Sequence, residues 1–454
     1  MLLRRILPFL ALATIPFCLL CLAISVSDLH TYPAADLRAK VAGARLLAAG
    51  QNPYNLNPDS QPNQYFKSPA FPTYTPVLLA LYVPLSALPY ETQRTIYFCL
   101  DWLLAGATFY LFQRSFCESL AEKYFCWIAY CSFIVCSYAF RFHLERGQYY
   151  MLVLLLLCHT AASIEHGQSG WLACLPTALL LVVRPTYCLM LVAALLCLNA
   201  RKWVLRVSAL AAAMFLATLR FGGIQRWFGF METIRARQAQ YLEGMTTLCC
   251  KQHLSLRFLP PTIIENIDFS RGLQGHALNG TFIGLCSFPF GLVSRRLLFL
   301  CGYIAPRQIE ATDYLFMTLV LAGGIGVAFM ARQRVVDRKI LIAYVVVWPL
   351  IFEIFGPERQ LYTSVVEFLS WMLVLLDRDA LQPRFAGSGK FRFLAAILVF
   401  GALPPLVVQL THKPLVEGVA NFFTLLVLPV AIAAFCVYAI LRSPKRNQDS
   451  PAAS

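Results

Sequence analysis

Residues 7–26 read LPFLALATIPFCLLCLAISV, a run without a charged side chain. A helix of ~20 apolar residues is long enough to cross the hydrocarbon core of a bilayer. The run follows Arg4 and Arg5, as the apolar part of a signal peptide does. However, signal peptides have an apolar run of about 7–15 residues, and no Ala-x-Ala cleavage site ends this one. The sequence therefore predicts an uncleaved N-terminal membrane anchor.

The remainder of the chain is similarly apolar. Of its 454 residues, 59% are hydrophobic and 13% are charged, whereas soluble domains have about 25% charged residues. This composition excludes a soluble globular protein and predicts an all-α, polytopic transmembrane helix bundle of about twelve spans. Further clear spans are expected at 93–112, 124–140, 149–163, 203–221, 312–331, 340–356, 360–376, 393–411 and 419–441, and weaker ones at 72–90 and 170–199.

The net charge of +15 would suggest nucleic acid in a soluble protein, but here it sets orientation. Basic residues in short loops favour the cytoplasmic side. Five basic stretches are then cytoplasmic: the N-terminus, 201–206, 332–339, 378–392 and the tail from 442. This arrangement predicts two large outer loops, at 27–71 and 222–311, and needs no nucleic-acid partner.

The two outer loops must be separated by an even number of crossings. Counting 170–199 as two helices gives an odd number. Either the proline-rich segment 72–90 is short or re-entrant, or 170–199, which Arg184-Pro185 interrupts, is one long broken helix. Broken backbone at membrane depth is tolerated where it is buried in protein or lines a cavity, so both segments point towards a site.

The predicted organisation has four parts. An N-terminal membrane module (1–221) contains the first outer loop and the candidate catalytic residues. The second outer loop (222–311) carries amphipathic segments and four cysteines that could form a disulfide if the loop faces an oxidising space. C-terminal membrane helices (312–441) and a cytoplasmic tail (442–454) complete the chain.

The first outer loop contains an amphipathic helix that begins near Asp36. Leu37, Val41, Ala44 and Ala48 fall on one face, and Gly50 ends the helix. Asp36 stands at the expected N-cap, where a carboxylate typically caps the first N–H groups. The alternative is a rigidly held carboxylate that takes a proton from an incoming hydroxyl.

Other polar residues in and around this loop have competing interpretations. Asp28, at the exit of the first span, is an equally placed competitor for the role of base. Lys67 could receive a phosphate or simply snorkel at the interface. The basic residues on the amphipathic helix are expected to face solvent or lipid headgroups: Arg38, Lys40 and Arg45.

Three further groups of polar residues are candidates for a wet outer pocket: residues 141–148, Arg184 and Glu358-Arg-Gln360. Residues 141–148 read RFHLERGQ and contain more ionisable groups than a short connector needs. Arg184 breaks a long apolar run, where a charge is costly unless paired or hydrated. Because guanidinium groups suit phosphate oxygens, these clusters could stabilise a leaving phosphate. The candidate substrate-binding residues are Tyr54, Lys67, His143, Glu145, Arg146, Gln148, Arg184, Glu358 and Arg359.

A set of short motifs resembles a known family. These are Asp36-Leu-Arg, Ala44-Arg-Leu-Leu and Gly50-x-x-Pro-Tyr54, then Tyr74-Thr-Pro76, Arg146-Gly-Gln148 and Arg184-Pro185. The pattern is similar to that of glycosyltransferase family 87, membrane enzymes of the GT-C fold. Two elements differ from the family's pattern: Leu37-Arg-Ala-Lys40 replaces an aromatic run, and Arg184-Pro185 replaces Lys-Pro.

The resemblance implies a function. The acid of the first outer loop, here Asp36, would be the catalytic base, and the donor would be a polyprenyl-phosphate sugar, with mannose favoured. The acceptor would be a glycan or glycolipid hydroxyl outside a bacterial inner membrane. No cofactor is expected, and without an Asp-x-Asp pair in an outer loop no metal is expected either. The alternative is a polytopic transporter or lipid flippase, for which no inverted repeats are visible.

Overall fold

The computed structural model describes residues 2–31, 34–54, 74–234, 306–354, 365–376 and 428–445, and these ranges are helical apart from short turns. One isolated antiparallel bridge, between Arg334 and Lys445, is the extended pairing within those ranges. Helix α1 (Leu2–Thr31) contains the predicted anchor. Its large apolar side chains are mostly exposed, including Phe9, Leu12 and Phe17, as expected for a helix that faces lipid.

The proline-rich segment forms two short helices instead of a span. Helix α2 (Ala35–Ala48) is followed by α3 (Pro76–Leu81) and α4 (Val83–Ser86). Proline is tolerated in the first turn of a helix, which is where both helices carry one. With six and four residues, neither helix has the ~20 residues that a span needs. Neither helix of this proline-rich segment is therefore long enough to cross a bilayer by itself.

The next two crossings meet in a bent region. Helix α5 (Tyr90–Phe116) has 27 residues, and α6 (Leu120–Tyr130) continues through a π-helical turn into α7 (Tyr138–Arg146) with a bend of 48°. The segment 141–148, interpreted as a possible connector, is thus mostly the last part of α7. Helix α8 (Tyr150–Glu165) then returns.

Residues 170–199 form two helices that pack on different partners. Helix α9 (Trp171–Val183) lies beside α11 (Arg201–Thr218), and a 3₁₀ turn after Arg184 leads into α10 (Leu189–Leu198). Arg206, near the start of α11, donates to the Ser169 carbonyl and lies over the Trp171 ring. Helices α9 and α11 therefore run in the same direction, and α10, which connects them in sequence, runs back. The two-helix form of 170–199 and the short helices of the proline-rich segment favour the first of the two possibilities, and the number of crossings stays a prediction.

The C-terminal half adds four described helices: α12 (Pro306–Arg332), α13 (Arg338–Ile354), α14 (Glu367–Leu375) and α15 (Leu428–Arg442). Arg338 donates to the Ile164 carbonyl at the end of α8. Lys339 donates to the Phe116 carbonyl at the end of α5. The described parts of the predicted cytoplasmic stretches beyond residue 200 thus share one end of the bundle. The stretch 378–392 lies outside the described residues.

Three described helices are long and apolar enough to cross a membrane, by length and composition: Ile6–Leu29, Tyr90–Phe116 and Arg201–Phe221. The bent pair Leu120–Val135 and Ala139–Arg146 makes a fourth if it is one span. Several shorter apolar helices, including α8, α9 and α15, accompany them. The helical fold class is confirmed in the described ranges. The count of about twelve spans stays a prediction, and the predicted span 393–411 lies outside those ranges.

Helix α2 packs into the bundle. Leu37, Val41 and Ala44 are buried, as the amphipathic pattern predicts, whereas Ala48 is exposed. The helix packs against α3, α4 and α7. This docking places the N-terminal turn of α2 at the end of the bundle opposite Arg338, and that end is called the Asp36 end below.

Candidate active site

The Asp36 carboxylate contacts the turn after α7 and makes no helix cap. Helix α2 begins at Ala35, and its N-cap is Ala34, which has φ 45° and no side-chain cap. The Arg146 guanidinium donates to both carboxylate oxygens, at 2.7 and 2.9 Å, and the Gln148 amide donates to Oδ2. The interpretation of Asp36 as an N-cap is therefore wrong, because its acceptor positions serve a distant part of the chain.

Gly147 makes this arrangement possible. It ends α7 in the left-handed region, with φ 68°, where glycine carries little conformational penalty. A Cβ at this position would lie 2.5 Å from the Cβ of Leu37. The turn can therefore approach α2 closely enough for Arg146 and Gln148, on either side of Gly147, to reach the same carboxylate.

Among the described residues, the donors to the Asp36 carboxylate leave one acceptor position unused. An ionised carboxylate offers about four acceptor positions. Arg146 Nε and the Gln148 amide use those of Oδ2, and Arg146 Nη2 uses one of Oδ1. The carboxylate side chain is 17% exposed and that of Arg146 is 37% exposed. An incoming hydroxyl could therefore donate to Oδ1 without displacing the pair.

Arg184 lies at the same end of the bundle, at the C-terminus of α9. Its guanidinium donates to the Tyr150 hydroxyl at 2.8 Å and to Glu353 Oε1 at 2.6 Å. The Thr186 hydroxyl donates to the same carboxylate oxygen. Arg184 also reaches the hydroxyl of Tyr149, the residue after Gln148. The structure therefore joins Arg184 to the Asp36 cluster through adjacent residues.

The sequence reasoning missed Glu353. This residue lies near the end of α13 and is 9% exposed. A signal was available, since an acidic residue inside the predicted apolar span 340–356 is costly unless it is paired. Its partner, Arg184, is more than 160 residues away in sequence, so the pairing itself needed the fold.

Two predicted site residues lie away from Asp36. His143 is buried, with Nε2 3.3 Å from the equally buried Asp101 carboxylate of α5. Glu145 pairs with Arg141, which also donates to Asp28 at 2.7 Å. Asp28, Arg141 and Glu145 line a cleft of about 400 Å³ whose wall includes Ala34, Leu37 and Gly147. Asp28, the competing base, thus has an arginine of its own.

Lys40 corrects another expectation. The sequence places Arg38, Lys40 and Arg45 towards solvent or headgroups, but the Lys40 side chain is completely buried. Arg38 lies over the Tyr90 ring, and Arg45 donates to the Ser86 carbonyl. The expectation is wrong for Lys40, because neighbouring helices cover α2 on this side as well as on its apolar face, whereas Arg38 and Arg45 stay partly exposed.

Tyr54 has a packing position. Its hydroxyl donates to the Tyr74 carbonyl at 2.6 Å, and its ring packs with Leu47, Leu79 and Phe230. It therefore ties the end of α2 to the start of α3. The other predicted substrate-binding residues lie outside the described ranges: Lys67, Glu358 and Arg359.

Within the described ranges, no group of three or more His, Cys, Asp and Glu side chains is arranged to hold a metal ion. The independence from metals and cofactors stays a prediction. The cysteines of the second outer loop that were considered for a disulfide lie outside the described residues: Cys249, Cys250, Cys286 and Cys301.

The fold and this cluster define a class: a helical, multi-pass membrane protein with a carboxylate–guanidinium site at one end of its bundle. The family model of glycosyltransferase family 87 matches residues 73–354, which is more than half of the chain. The chain therefore belongs to glycosyltransferase family 87 and is a membrane glycosyltransferase. No curated protein and no solved structure matches it.

The matched range confirms the resemblance and divides the site. Arg146, Gln148, Arg184 and Glu353 lie inside the matched residues, whereas Asp36 lies before them. Asp36 is therefore linked to the matched residues by its hydrogen bonds with Arg146 and Gln148.

Proposed function

We propose that this protein transfers a hexose or pentose, with mannose favoured, from a polyprenyl-phosphate sugar to an acceptor hydroxyl outside a membrane. A bacterial inner membrane is the proposed location, with the site facing the periplasm. The observation that carries the proposal is the Asp36 carboxylate, held by Arg146 and Gln148 with one acceptor position left on Oδ1. The transporter or flippase alternative is disfavoured by the family match.

In the proposed reaction, Asp36 accepts the proton of the acceptor hydroxyl as general base. The acceptor oxygen then bonds to the anomeric carbon while the bond from that carbon to the phosphate oxygen breaks. The bonding electrons leave with polyprenyl phosphate. A single displacement of this kind inverts the anomeric centre.

The leaving phosphate gains negative charge as its bond breaks, so a guanidinium beside it lowers the barrier. Arg146 is the proposed contact of the leaving phosphate, because it donates to Asp36, the proposed base. Its side chain is also more exposed than that of Arg184, at 37% against 23%. Arg184, with the Tyr149 and Tyr150 hydroxyls, is proposed to line the same side.

The test uses purified protein and labelled polyprenyl-phosphate mannose, with release of polyprenyl phosphate as the readout. We expect Asp36→Asn to lower the rate by about 10²–10⁴, which is the usual contribution of a general base. Asp28→Asn is the matched control, since this carboxylate also pairs with an arginine near the same end. Full activity of Asp36→Asn, or loss of activity in Asp28→Asn alone, would remove Asp36 from the role of base.

A further inference from the structure

Lys40 is buried next to the site, and the reaction described above does not use it. Its side chain is 0% exposed, so its ammonium group has exchanged all of its hydration for protein contacts. The faces of aromatic rings attract such a cation. Four tyrosine rings surround Nζ, with centroids 4.9–5.8 Å away: Tyr74, Tyr82, Tyr97 and Tyr149.

The ammonium group reaches the turn that holds Asp36. Lys40 Nζ donates to the carbonyl of Gly147, and the Tyr97 hydroxyl donates to the carbonyl of Gln148. The side chains on either side of Gly147 are the donors to Asp36. Lys40 and Tyr97 thus hold the main chain of this turn through its carbonyls. The side chains of the same turn donate to the Asp36 carboxylate.

Charged groups face Lys40 from three helices. Asp36 comes from α2, Arg146 from α7 and Asp101, which is paired with His143, from α5. Burial lowers the pKa of Lys40 to about 7, against the attraction of Asp36 and Asp101 and together with the repulsion of Arg146. The amine is therefore charged below pH 7 and increasingly neutral above it.

We propose that Lys40 is a positioning residue for Asp36: by holding the Gly147 carbonyl, its ammonium group keeps Arg146 and Gln148 on the carboxylate. Hydrogen bonds from a charged donor are stronger than those from a neutral one. The turn is thus held most firmly when Lys40 is protonated. This inference rests on the proposed role of Asp36 as base.

The first test is a pH profile of kcat and KM for polyprenyl-phosphate mannose, from about pH 5.5 to about 9, a range that brackets this titration. For the wild type, kcat should fall as the pH rises through about 7. Lys40→Gln keeps a donor without the charge, and should lower kcat about tenfold, leave KM nearly unchanged and lose the alkaline fall. Arg38→Gln, on the same helix but over Tyr90, should keep the wild-type profile.

The second test does not depend on the donor. Thermal unfolding is measured for Lys40→Gln, Asp36→Asn and the double variant. Side chains that share one network are coupled, so the shifts in Tm should not add. If the wild type does not release polyprenyl phosphate, the proposed function fails, and this cycle still decides the role of Lys40.

The wild type also provides a test without substitution. Because the folded pKa of Lys40 is lowered, the unfolded chain binds more protons between about pH 7 and its ordinary value of 10.5. The contribution of Lys40 to stability therefore rises with pH across this window, while kcat falls. Additive Tm shifts, a kcat that does not fall in the wild type, or wild-type kcat in Lys40→Gln would each overturn the proposal.

Discussion

The two ends of the helix bundle use arginine in different ways. At the end that contains Arg338, basic side chains donate to main-chain carbonyls in the last turns of neighbouring helices or, for Ser169, in the turn before one. The pairs are Arg206 with Ser169, Arg334 with Leu441 and Ser443, Arg338 with Ile164, and Lys339 with Phe116.

At the Asp36 end, three arginines pair closely with carboxylates from other helices, at 2.6–2.7 Å, while Arg45 donates to the Ser86 carbonyl. The pairs are Arg141 with Asp28, Arg146 with Asp36, and Arg184 with Glu353. Phe116, Ile164 and Leu441 lie in the last turns of their helices, where carbonyls attract cations through the helix dipole. Arg338 and Lys339 also lie 3.8 and 4.0 Å from Glu165 and Glu118. A carboxylate fixed by an arginine is an oriented group, which general base catalysis requires. The comparison indicates that the predicted orientation signals and the candidate site occupy opposite ends of the described bundle.

The strongest test of the comparison is a pair of matched substitutions, one at each end. Arg146→Met should lower kcat by about a thousandfold, because it removes both the partner of Asp36 and the proposed phosphate contact. Arg206→Met should leave kcat within about twofold, since its contacts are with Ser169 and Trp171. Steady-state release of polyprenyl phosphate measures both. Equal losses in the two variants would contradict the division between the ends.

The next largest effect concerns the stability of the Arg184 pair. Arg184→Met leaves Glu353 buried without its cation and should lower the free energy of unfolding by about 3 kcal/mol. Replacing Glu353 with Met in the same chain removes the uncompensated charge, so the double variant should recover much of this loss. Thermal unfolding of the single and double variants provides the check. A double variant whose loss of stability equals the sum of the two single losses would show that the pair is not coupled.

A smaller effect is expected at Gly147. Gly147→Ala places a Cβ 2.5 Å from that of Leu37 and must push the turn away from α2. We expect a loss of about 2 kcal/mol in stability, with reduced kcat. Gly50→Ala is the control, because Gly50 also has a positive φ, 72°, but its Cβ would meet nothing within 4 Å. That variant should lose only about 1 kcal/mol. Similar kcat values in both would show that the close approach is dispensable.

The smallest expected effect is at the opposite end. Arg338 is about half exposed, and its guanidinium donates to the Ile164 carbonyl and lies 3.8 Å from Glu165. Arg338→Met should lower stability by about 0.5–1 kcal/mol and leave kcat unchanged. Thermal unfolding measures the change in stability, and steady-state release of polyprenyl phosphate measures kcat. A change in kcat without a change in Tm would connect this end to the chemistry.

The membrane class, the helical fold and the family could all be predicted from the sequence. Apolar runs reveal membrane helices because the bilayer imposes their length and composition. The set of short motifs from Asp36 to Arg184-Pro185 together indicated the family, and one of them, Arg146-Gly-Gln148, supplies two of the side chains near Asp36. The requirement for an even number of crossings between the two outer loops also indicated that a segment is irregular, but it left 72–90 and 170–199 as alternatives.

The contacts of the site required the tertiary structure. Sequence placed Asp36 at a helix cap, since a carboxylate at the start of an amphipathic helix usually serves there, but Arg146 and Gln148 compete for it after the fold brings α7 onto α2. Lys40 was expected in solvent because nothing local marks the helices that cover it. Glu353 and Arg184 pair across 169 residues of the chain. Periodicity and composition are local properties, so they determine which segments become helices, whereas pairing of charges depends on which helices meet.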